Sequence, residues 1–360
     1  MTNDQRKTDL KNFTQDELVD YVESLGQPGF RGRQILAWIY KPGMTDFGEM
    51  TDLAKGFRAV LAQHARISRF IDPITEISQD GAVKFGFRLD DGLIIESVLI
   101  PEEDRNTLCV SSQAGCAMGC RFCVTGSMGF QRNLTRAEIV NQVCAVRDWL
   151  LENEGHCPKK ELSNIVFMGM GEPLANMDNL LASLSLLTEQ RGLDFASRRI
   201  TVSTCGLVPQ MPELGEKSSV NLAVSLHAAD NATRSSLMPV NIRWPIEELL
   251  KACREYPGKK RQRIMFEYTL FAGINDSDQD AYRLAALLGK IPCKINLLPV
   301  NKGESSEFVS PPVDRVLRFQ KILREKKYTV FIRQSRGEDI SAACGQLAGR
   351  SAKMSSPSCL

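Results

Sequence analysis

The sequence contains no run of about 18 apolar residues, and this absence argues against a membrane-spanning helix. Its start, MTNDQRKTDLKNF, is polar and has no apolar stretch of the kind found in signal peptides. No internal repeat and no low-complexity tract is present, so nothing indicates a repeat architecture. We therefore expect a cytoplasmic protein that does not associate with a membrane.

An excess of one charge sign is also missing, since 45 Lys and Arg residues face 43 Asp and Glu residues. Bulk charge thus does not indicate nucleic-acid binding, and an RNA site would need a local basic patch. Basic clusters occur at Arg31 with Arg33, at Arg198–Arg199 and at Lys259–Arg261 with Arg263. Each cluster taken alone is as expected for ordinary solvated surface.

What the chain does have is enough apolar sequence for a large core, with 43% hydrophobic residues among 360. This length suits one large domain with an accessory piece, or two modest domains. It also has 11 cysteines. In a cytoplasmic protein these are better explained by metal ligation or thiol chemistry than by disulfides.

Hydrophobic periodicity divides the chain into a helical start and a longer alternating part. Residues 1–75 show helical spacing, with a capping box formed by Thr14 and Glu17. From about Gly81 the pattern changes to strands joined by an Asp91-Gly92 turn. Beyond them, strands predicted at 107–111, 164–168, 199–203, 221–226, 263–270, 294–299 and 329–333 alternate with helices predicted at 136–153, 176–190, 245–256, 278–290 and 312–327. This α/β alternation predicts a parallel sheet, open or curled into a full or partial barrel, with ligands beyond the carboxyl ends of its strands.

The segment CVSSQAGCAMGCRFCVTG carries the strongest chemical signal. It places Cys116, Cys120 and Cys123 in a C-x3-C-x2-C arrangement, with glycines beside the first two. Three thiolates on one tight loop can hold an iron–sulfur cube and leave one iron open for another ligand. The alternatives are a zinc site, which would want four ligands and usually two C-x2-C pairs, and coincidence.

With Phe122 before its last cysteine, this loop resembles the cluster loop of radical S-adenosylmethionine (SAM) enzymes. The resemblance implies a [4Fe-4S] cluster on Cys116, Cys120 and Cys123, and SAM chelated at the open iron. An electron from the cluster would then cleave SAM to methionine and a 5′-deoxyadenosyl radical.

Five further segments narrow the resemblance: FMGMGEPLAN, ITVSTCG, AVSLHAADNATRSSLMPVN, INLLPVN and SRGEDISAACGQLAG. With the cluster loop, they are similar to the dual-specificity rRNA/tRNA adenine-C2 methyltransferases, over roughly residues 15–350. This implies methylation of adenosine 2503 of 23S rRNA and adenosine 37 of tRNA, with two SAM consumed per turnover. It also implies a partial (β/α)6-type barrel at 76–350 and an RNA-binding helical accessory domain at 1–75. The tail at 351–360 lies beyond the resemblance, and we expect it to be disordered because of its terminal position.

The resemblance also implies which residues bind SAM, and their positions near the ends of predicted strands agree with that role. They are Gly171, Glu172, Ser203, Ser225, Leu226, His227 and Asn301. Glu172 would accept from the SAM ammonium group, and Gly171 would allow close approach of the backbone. Taken alone, Glu172 could be an ordinary acid at a helix N-terminus, and His227 a packed histidine.

Three residues outside the loop receive catalytic roles by the same resemblance. Cys344 would be methylated first and carry the methyl group to adenine; Cys109 would resolve the product through a transient disulfide with Cys344. Glu96, in an apolar strand, would accept the proton from C2. We expect nearby positive charge, from Arg333 or Arg336, to depress the pKa of Cys344. The remaining cysteines suit core packing, namely Cys144, Cys157, Cys205, Cys253 and Cys293, while Cys359 lies in the tail.

The partners implied are 23S rRNA, tRNA and a flavodoxin-like or ferredoxin-like electron donor, with the enzyme itself a monomer. Arg31, Arg33 and Lys55 are the candidate phosphate contacts in the accessory domain. Three rival functions remain at the level of sequence. They are a radical SAM enzyme of another reaction type, a zinc-stabilised RNA-binding module, and the related methyltransferase that acts on C8 of adenine.

Overall fold

A computed structural model describes residues 7–41, 43–159, 161–259, 262–289, 291–301 and 307–349. The predicted tail at 351–360, with Cys359, and the basic residues Lys260 and Arg261 lie outside these ranges. None of the helices within them is both long and apolar enough to cross a bilayer.

The amino-terminal part is helical, as predicted. A short strand β1 (Thr8–Asp9) precedes helices α1 (Gln15–Ser24), α2 (Phe30–Tyr40) and α3 (Lys55–His64). Thr14 and Glu17 form the predicted capping box at the start of α1. Strand β2 (Ala65–Arg66) pairs in parallel with β1 and so joins the two ends of this region.

Four strands follow and form an antiparallel run: β3 (Ile74–Ile77), β4 (Val83–Arg88), β5 (Ile94–Pro101) and β6 (Asn106–Cys109). The predicted Asp91-Gly92 turn connects β4 to β5, where the Asp91 carboxylate accepts from the Leu93 amide at 3.0 Å. Strand β3 spans the boundary predicted between residues 75 and 76, and the domain limits themselves remain a prediction.

After β6 the chain enters a compact excursion before the first long helix. It consists of β7 (Gln113–Gly115), α4 (Val124–Ser127) and β8 (Phe130–Asn133), in which β7 and β8 pair antiparallel. The three cysteines of the motif lie between β7 and α4. The long helix is α5 (Arg136–Glu152), and it has a capping box formed by Thr135 and Glu138.

The rest of the chain alternates strands with helices. In chain order the elements are β9 (Asn164–Phe167), α6 (Met177–Thr188), β10 (Ile200–Thr204), α7 (Met211–Lys217), β11 (Asn221–Ser225), α8 (Asn231–Leu237), α9 (Val240–Arg243), α10 (Ile246–Glu255), β12 (Ile264–Leu270), α11 (Asp278–Leu288), β13 (Cys293–Pro299), α12 (Val313–Glu325) and β14 (Val330–Ile332). Every predicted strand and helix is present within a few residues. Helices α7, α8 and α9 were not predicted, because none exceeds seven residues and apolar periodicity is hard to detect over so short a span.

One sheet contains ten of these strands, in the order β14-β13-β12-β11-β10-β9-β6-β5-β4-β3. Pairing is parallel from β6 to β14, which gives six strand–helix units followed by a last strand. Since β3 and β14 are edges, the sheet is open, and the expected partial (β/α)6-type barrel is confirmed.

The helical region rests on the outside of the barrel. Its apolar cluster, which includes Leu18, Ile35 and Leu61, also contains Val140 and Cys144 of α5 and Leu186 of α6. The accessory region thereby buries apolar surface against the barrel helices instead of standing free.

Candidate active site

The cysteine loop at the carboxyl end of β7 is shaped by glycines. Gly115 and Gly119 have φ of +75° and +64°, values that side chains rarely adopt. A Cβ at Gly115 would also clash with the carbonyl oxygen of Gly129. The loop closes through a 3.1 Å hydrogen bond from the Cys123 amide to the Cys120 carbonyl, so its three cysteines fold back on one another.

The thiols of this loop are partly buried and influence one another. Burial raises the pKa of Cys116 to about 11, and the charge of Cys123 adds to the rise. Burial also raises the pKa of Cys120 and Cys123, and at Cys120 the charges of the other two cysteines contribute. Three thiolates placed together in this way need a bound positive charge, which a metal centre supplies.

In the described ranges, no three His, Cys, Asp or Glu side chains converge as ligands of a single metal ion. A single zinc ion would need four ligands on one point. In a cube, by contrast, each cysteine binds a different iron, so three thiols around a wider space suffice. The donor set of this loop therefore fits the cluster better than it fits zinc.

Glu172 lies beside the loop in a fully enclosed position. Glu172 is only 4% exposed, and its carboxylate accepts from the Cys205 amide at 2.8 Å and the Leu174 amide at 3.1 Å. Burial raises the pKa of Glu172, while these hydrogen bonds oppose the rise. Its charge in turn raises the pKa of Cys116, so the carboxylate is within electrostatic reach of the cysteine loop.

Gly171 permits the close approach that places Glu172. Its φ is +95°, and a Cβ there would lie 2.7 Å from Gln113 Cγ and still closer to Gln113 Cβ. The Gln113 side-chain oxygen accepts from the Glu172 amide at 2.8 Å. Gln113 was not singled out in the sequence, where it looks like an ordinary loop residue beside the first glycine of the motif.

The other predicted SAM residues lie at the same edge of the sheet. Ser203 is the penultimate residue of β10, and Ser225 ends β11. Leu226 is completely buried, and its amide donates to the Glu267 carbonyl at 3.0 Å. Asn301 follows β13, and its side-chain amide donates to the Cys344 carbonyl at 3.3 Å. The structure thus brings these residues together, while their role in binding SAM remains a prediction.

His227 is locked in one orientation. It has a left-handed backbone, with φ +55°, and its Nδ1 accepts from the Thr269 amide at 2.9 Å. Burial, together with the charge of Arg234, lowers the pKa of His227 to about 3. The imidazole is therefore neutral near pH 7, with its proton on Nε2, and its ring meets that of Phe122 edge-on at 5.0 Å.

The two predicted thiols of the transfer step are close to each other. Cys109 ends β6 and is buried, whereas Cys344 is exposed in the segment after β14. Burial raises the pKa of Cys109 to about 12, and the charge of Cys344 is the next largest cause. The chain therefore folds so that these two thiols, far apart in sequence, interact electrostatically.

The expectation of a depressed pKa at Cys344 is wrong. Its pKa is raised, first by the surrounding protein and then by the charges of Glu267 and Cys123, and Arg333 only opposes the rise. The residue as a whole is exposed, while its thiol is surrounded by protein atoms that raise the pKa. Arg336, the other candidate cation, donates to the Asp80 carbonyl at 3.0 Å and does not figure among the charges acting on Cys344.

The segment that carries Cys344 is fastened directly to the cysteine loop. The Val124 amide donates to the Gly345 carbonyl at 2.7 Å, and the Thr125 hydroxyl donates to the Leu347 carbonyl at 2.6 Å. Both donors immediately follow Cys123. The segment that carries Cys344 is consequently held next to the three cysteines of the loop.

Glu96 is buried, at 3% exposure, and it contacts the same segment. Its carboxylate accepts from the Ala348 amide at 2.8 Å, and its backbone carbonyl accepts from the Ser111 hydroxyl at 2.6 Å. Glu96 therefore does not face solvent. Its predicted role as proton acceptor stays a prediction, but its side chain does lie at the site.

Two buried charged residues at the site were missed in the sequence. Glu267 pairs side by side with Ser225 of β11 and Asn296 of β13, so the three share one face of the sheet. Its carboxylate accepts from Asn296 Nδ2 at 2.9 Å, and burial raises its pKa. The other is Arg234, on α8. A charged residue inside an otherwise apolar strand was the available signal for Glu267.

The candidate phosphate contacts lie on the accessory region. Lys55 is exposed, whereas Arg31 and Arg33 are partly exposed. Arg31 stacks on the Phe30 ring at 4.7 Å and donates to the Asp52 carbonyl at 2.8 Å. All three belong to α2 and α3, and their side chains are at least partly accessible to an RNA partner.

Comparison with known proteins agrees with this architecture. Residues 110–285 match the model of the Radical SAM superfamily, and residues 8–67 match the ribosomal RNA large subunit methyltransferase N-terminal domain. A crystal structure of a radical SAM methyltransferase from Sphaerobacter thermophilus superposes with a TM-score of 0.88 at 45% identity, covering 95% of this chain and all of that one. The fold and the cysteine loop are thus those of a radical SAM enzyme.

Curated relatives narrow the class further. The dual-specificity RNA methyltransferase RlmN of Desulfotalea psychrophila is 61% identical, with 97% of each chain covered. That of Geobacter sulfurreducens is 52% identical, over 95% of this chain and 92% of the relative. This chain belongs to the RlmN family of dual-specificity RNA methyltransferases.

Proposed function

We propose that this protein methylates C2 of adenine in RNA, at adenosine 2503 of 23S rRNA and adenosine 37 of tRNA, through a methyl group carried on Cys344. The observation that carries this proposal is the fastening of the Cys344 segment to the cysteine loop, through Gly345 and Leu347. A radical SAM enzyme of another reaction type would need no exposed thiol at that place, nor a second thiol within its reach.

Cys116, Cys120 and Cys123 would hold a [4Fe-4S] cluster, and the strand-end residues would hold SAM. When bound, the cluster and SAM supply a radical that can remove a hydrogen atom from the carried methyl group. Glu172 offers a buried carboxylate for the SAM ammonium group, and neutral His227 offers a fixed N–H donor. Ser203, Ser225, Leu226 and Asn301 line the same edge, and Gly171 allows the close approach to Gln113 that places Glu172 there.

The thiol pair would both start and end the transfer. Cys344 would first take the methyl group of SAM by displacement: a bond forms from its sulfur to the methyl carbon, the bond from that carbon to the SAM sulfur breaks, and S-adenosylhomocysteine leaves. The thiol must lose a proton to do so, a loss that Arg333 favours. Once the carbon has bonded to adenine, the adduct would return its unpaired electron to the oxidised cluster, and the Cys109 thiolate would then attack the Cys344 sulfur. A disulfide forms, the bond from that sulfur to the carbon breaks, and the electron pair left on carbon takes up a proton.

Glu96 would accept the proton that leaves C2 of adenine. It is buried on β5 next to the segment that carries Cys344, so a base held against Cys344 would lie within its reach. The target base must leave its stack to enter this site, as in other enzymes that modify bases. The accessory region, with Arg31, Arg33 and Lys55, would hold the surrounding RNA through its phosphates.

Further partners follow from the proposed reaction. A flavodoxin-like or ferredoxin-like protein would supply the electron, and the substrates rRNA and tRNA place the enzyme in the cytoplasm. We propose that it acts as a monomer, since the residues assigned to the site all come from one chain.

The test is an anaerobic assay of the reconstituted full-length protein with SAM, a reductant and an rRNA fragment that contains the target adenosine. Nucleoside analysis should reveal 2-methyladenosine. Formation of 8-methyladenosine instead would assign the protein to the related C8 reaction. Iron-loaded protein that makes neither isomer would overturn the proposal.

A further inference from the structure

Arg234 on α8 is completely buried and spans the ends of two central strands. Its Nε donates to the Leu226 carbonyl at 3.1 Å, and its Nη2 donates to the carbonyls of Cys205 at 2.7 Å and Ser225 at 3.0 Å. Its Nη1 donates to Asn241 Oδ1 at 2.9 Å. The guanidinium thus ties the carboxyl ends of β10 and β11 together.

This cation has no carboxylate partner among the residues that the structure describes. Burying an unpaired charge costs several kcal/mol, and carbonyl dipoles offset only part of that cost. Burial lowers the pKa of Arg234 to about 10, which still leaves it charged near neutral pH. A neutral amide could bridge two of these carbonyls without such a cost, so the charge itself calls for an explanation.

The surroundings of Arg234 are the cysteine loop and Glu172. The Arg121 amide of the loop donates to the carbonyl of Leu237, the last residue of α8, at 3.0 Å. On the other side, the Cys205 carbonyl accepts from Arg234, and the Cys205 amide donates to Glu172. The guanidinium therefore lies behind Glu172 and the cysteine loop, a group that is strongly negative when its three thiols are ionised.

We propose that the fixed positive charge of Arg234 raises the reduction potential of the iron–sulfur cluster. Reduction adds one electron to a site that is already negative, so a nearby buried cation stabilises the reduced form. In a low-dielectric interior this effect is stronger than that of a surface cation. The donor protein would then need less reducing power to start the reaction.

This inference rests on the proposed cluster, and a redox titration tests it apart from catalysis. Full-length protein is reconstituted anaerobically, and the signal of the reduced cluster is followed by electron paramagnetic resonance against potential. We expect Arg234→Met to shift the midpoint to a more negative potential. Arg234→Lys keeps the charge but loses the forked contacts, so its midpoint should stay near that of the wild type while its thermal stability falls.

Arg254→Met serves as the control, because Arg254 is an exposed arginine on α10 and its charge is screened by water. Its midpoint should equal that of the wild type. An unchanged midpoint in iron-loaded Arg234→Met would overturn the inference, and so would a shift in Arg234→Lys as large as that in Arg234→Met. If Arg234→Met does not retain iron, Arg234→Gln takes its place in the same comparison. A wild-type protein that binds no iron–sulfur cluster would overturn the proposed function itself.

Discussion

The molecule contains two sets of functional thiols, and they are assembled in different ways. Cys116, Cys120 and Cys123 sit in one short loop, whose geometry depends on its own glycines and on one internal hydrogen bond. Cys109 and Cys344 come from β6 and from the segment after β14, at opposite ends of the barrel sequence. A metal-binding loop can thus be built locally, whereas Cys109 and Cys344 come together only when the whole partial barrel has folded.

The long-range assembly depends on contacts between the segment after β14 and the strands at the other edge of the sheet. Asp80 accepts from the Gly337 amide at 2.9 Å, and Lys84 donates to the Ile340 carbonyl at 2.6 Å. Glu96 anchors the Ala348 amide at 2.8 Å. Each contact crosses the open side of the partial barrel. The relative position of Cys109 and Cys344 should therefore be more sensitive than the cysteine loop to substitutions elsewhere in the chain.

The largest effect should come from Cys120→Ala. With one of three ligands gone, we expect loss of most bound iron and of all methylated RNA, because SAM cleavage needs the intact cluster. Iron and sulfide analysis of anaerobically reconstituted protein measures the first, and nucleoside analysis the second. Full iron content with normal product would mean that this loop does not hold the cluster.

Cys344→Ala should show that the two sets of thiols have separate roles. We expect normal iron content but a fall in product of more than about a thousandfold, since the covalent route is lost. Cys157→Ala, at a buried cysteine away from both sets, is the matched control and should retain activity. Product formation by Cys344→Ala would favour a radical SAM enzyme of another type.

A glycine beside the loop should show how tightly the local region is packed. Gly171→Ala introduces both a strained backbone, worth about 1–2 kcal/mol, and a clash with Gln113 worth about 1–3 kcal/mol. We expect lower thermal stability and at least about tenfold weaker SAM binding, by calorimetry. Gly92→Ala, where φ is +86° and no atom lies near, should show only the backbone cost and bind SAM normally. Equal SAM affinities in the two variants would remove Gly171 from the ligand site.

The buried neutral His227 should make the barrel sensitive to acid. The pKa of His227 in the folded protein is about 3, below the ordinary value of about 6.5. Between these two pH values the unfolded chain binds a proton that the folded protein excludes. Stability should therefore fall as the pH drops from about 6.5 toward 3, by about 2 kcal/mol between pH 7 and pH 5 from this group. Urea unfolding of His227→Phe at both pH values should lack this component. His64→Gln, at an exposed position, should behave like the wild type.

A change remote from both thiol sets should have the smallest effect. Arg31→Ala with Arg33→Ala should weaken RNA binding by about tenfold and reduce its salt dependence, because phosphate contacts are lost. Filter binding at several salt concentrations measures both quantities. Lys326→Ala with Lys327→Ala, two exposed lysines just beyond α12, is the charge-matched control. Unchanged affinity at moderate salt would argue against the accessory region as an RNA contact.

Much of the fold was predictable because strand–helix alternation is a periodic signal. The seven parallel strands and the long helices appear where the pattern places them, and the Thr14 capping box begins its helix as expected. Helix α8, which carries Arg234, is too short for such a signal. The inward direction of Glu267 was also hidden, since only its pairing with Ser225 and Asn296 shows which face it shares.

The sequence by itself determined the cysteine loop, the order of the strands and helices and the family, because these depend on residues close together or on local periodicity. The tertiary structure alone decided that Cys109 and Cys344 come within electrostatic reach of each other, that Glu96 is buried beside the Cys344 segment and that Arg234 lies behind the loop with only neutral partners among the described residues. The physical reason is that these contacts join distant parts of the chain. Burial and charge at such places depend on everything that packs around them, and no short stretch of sequence contains that information.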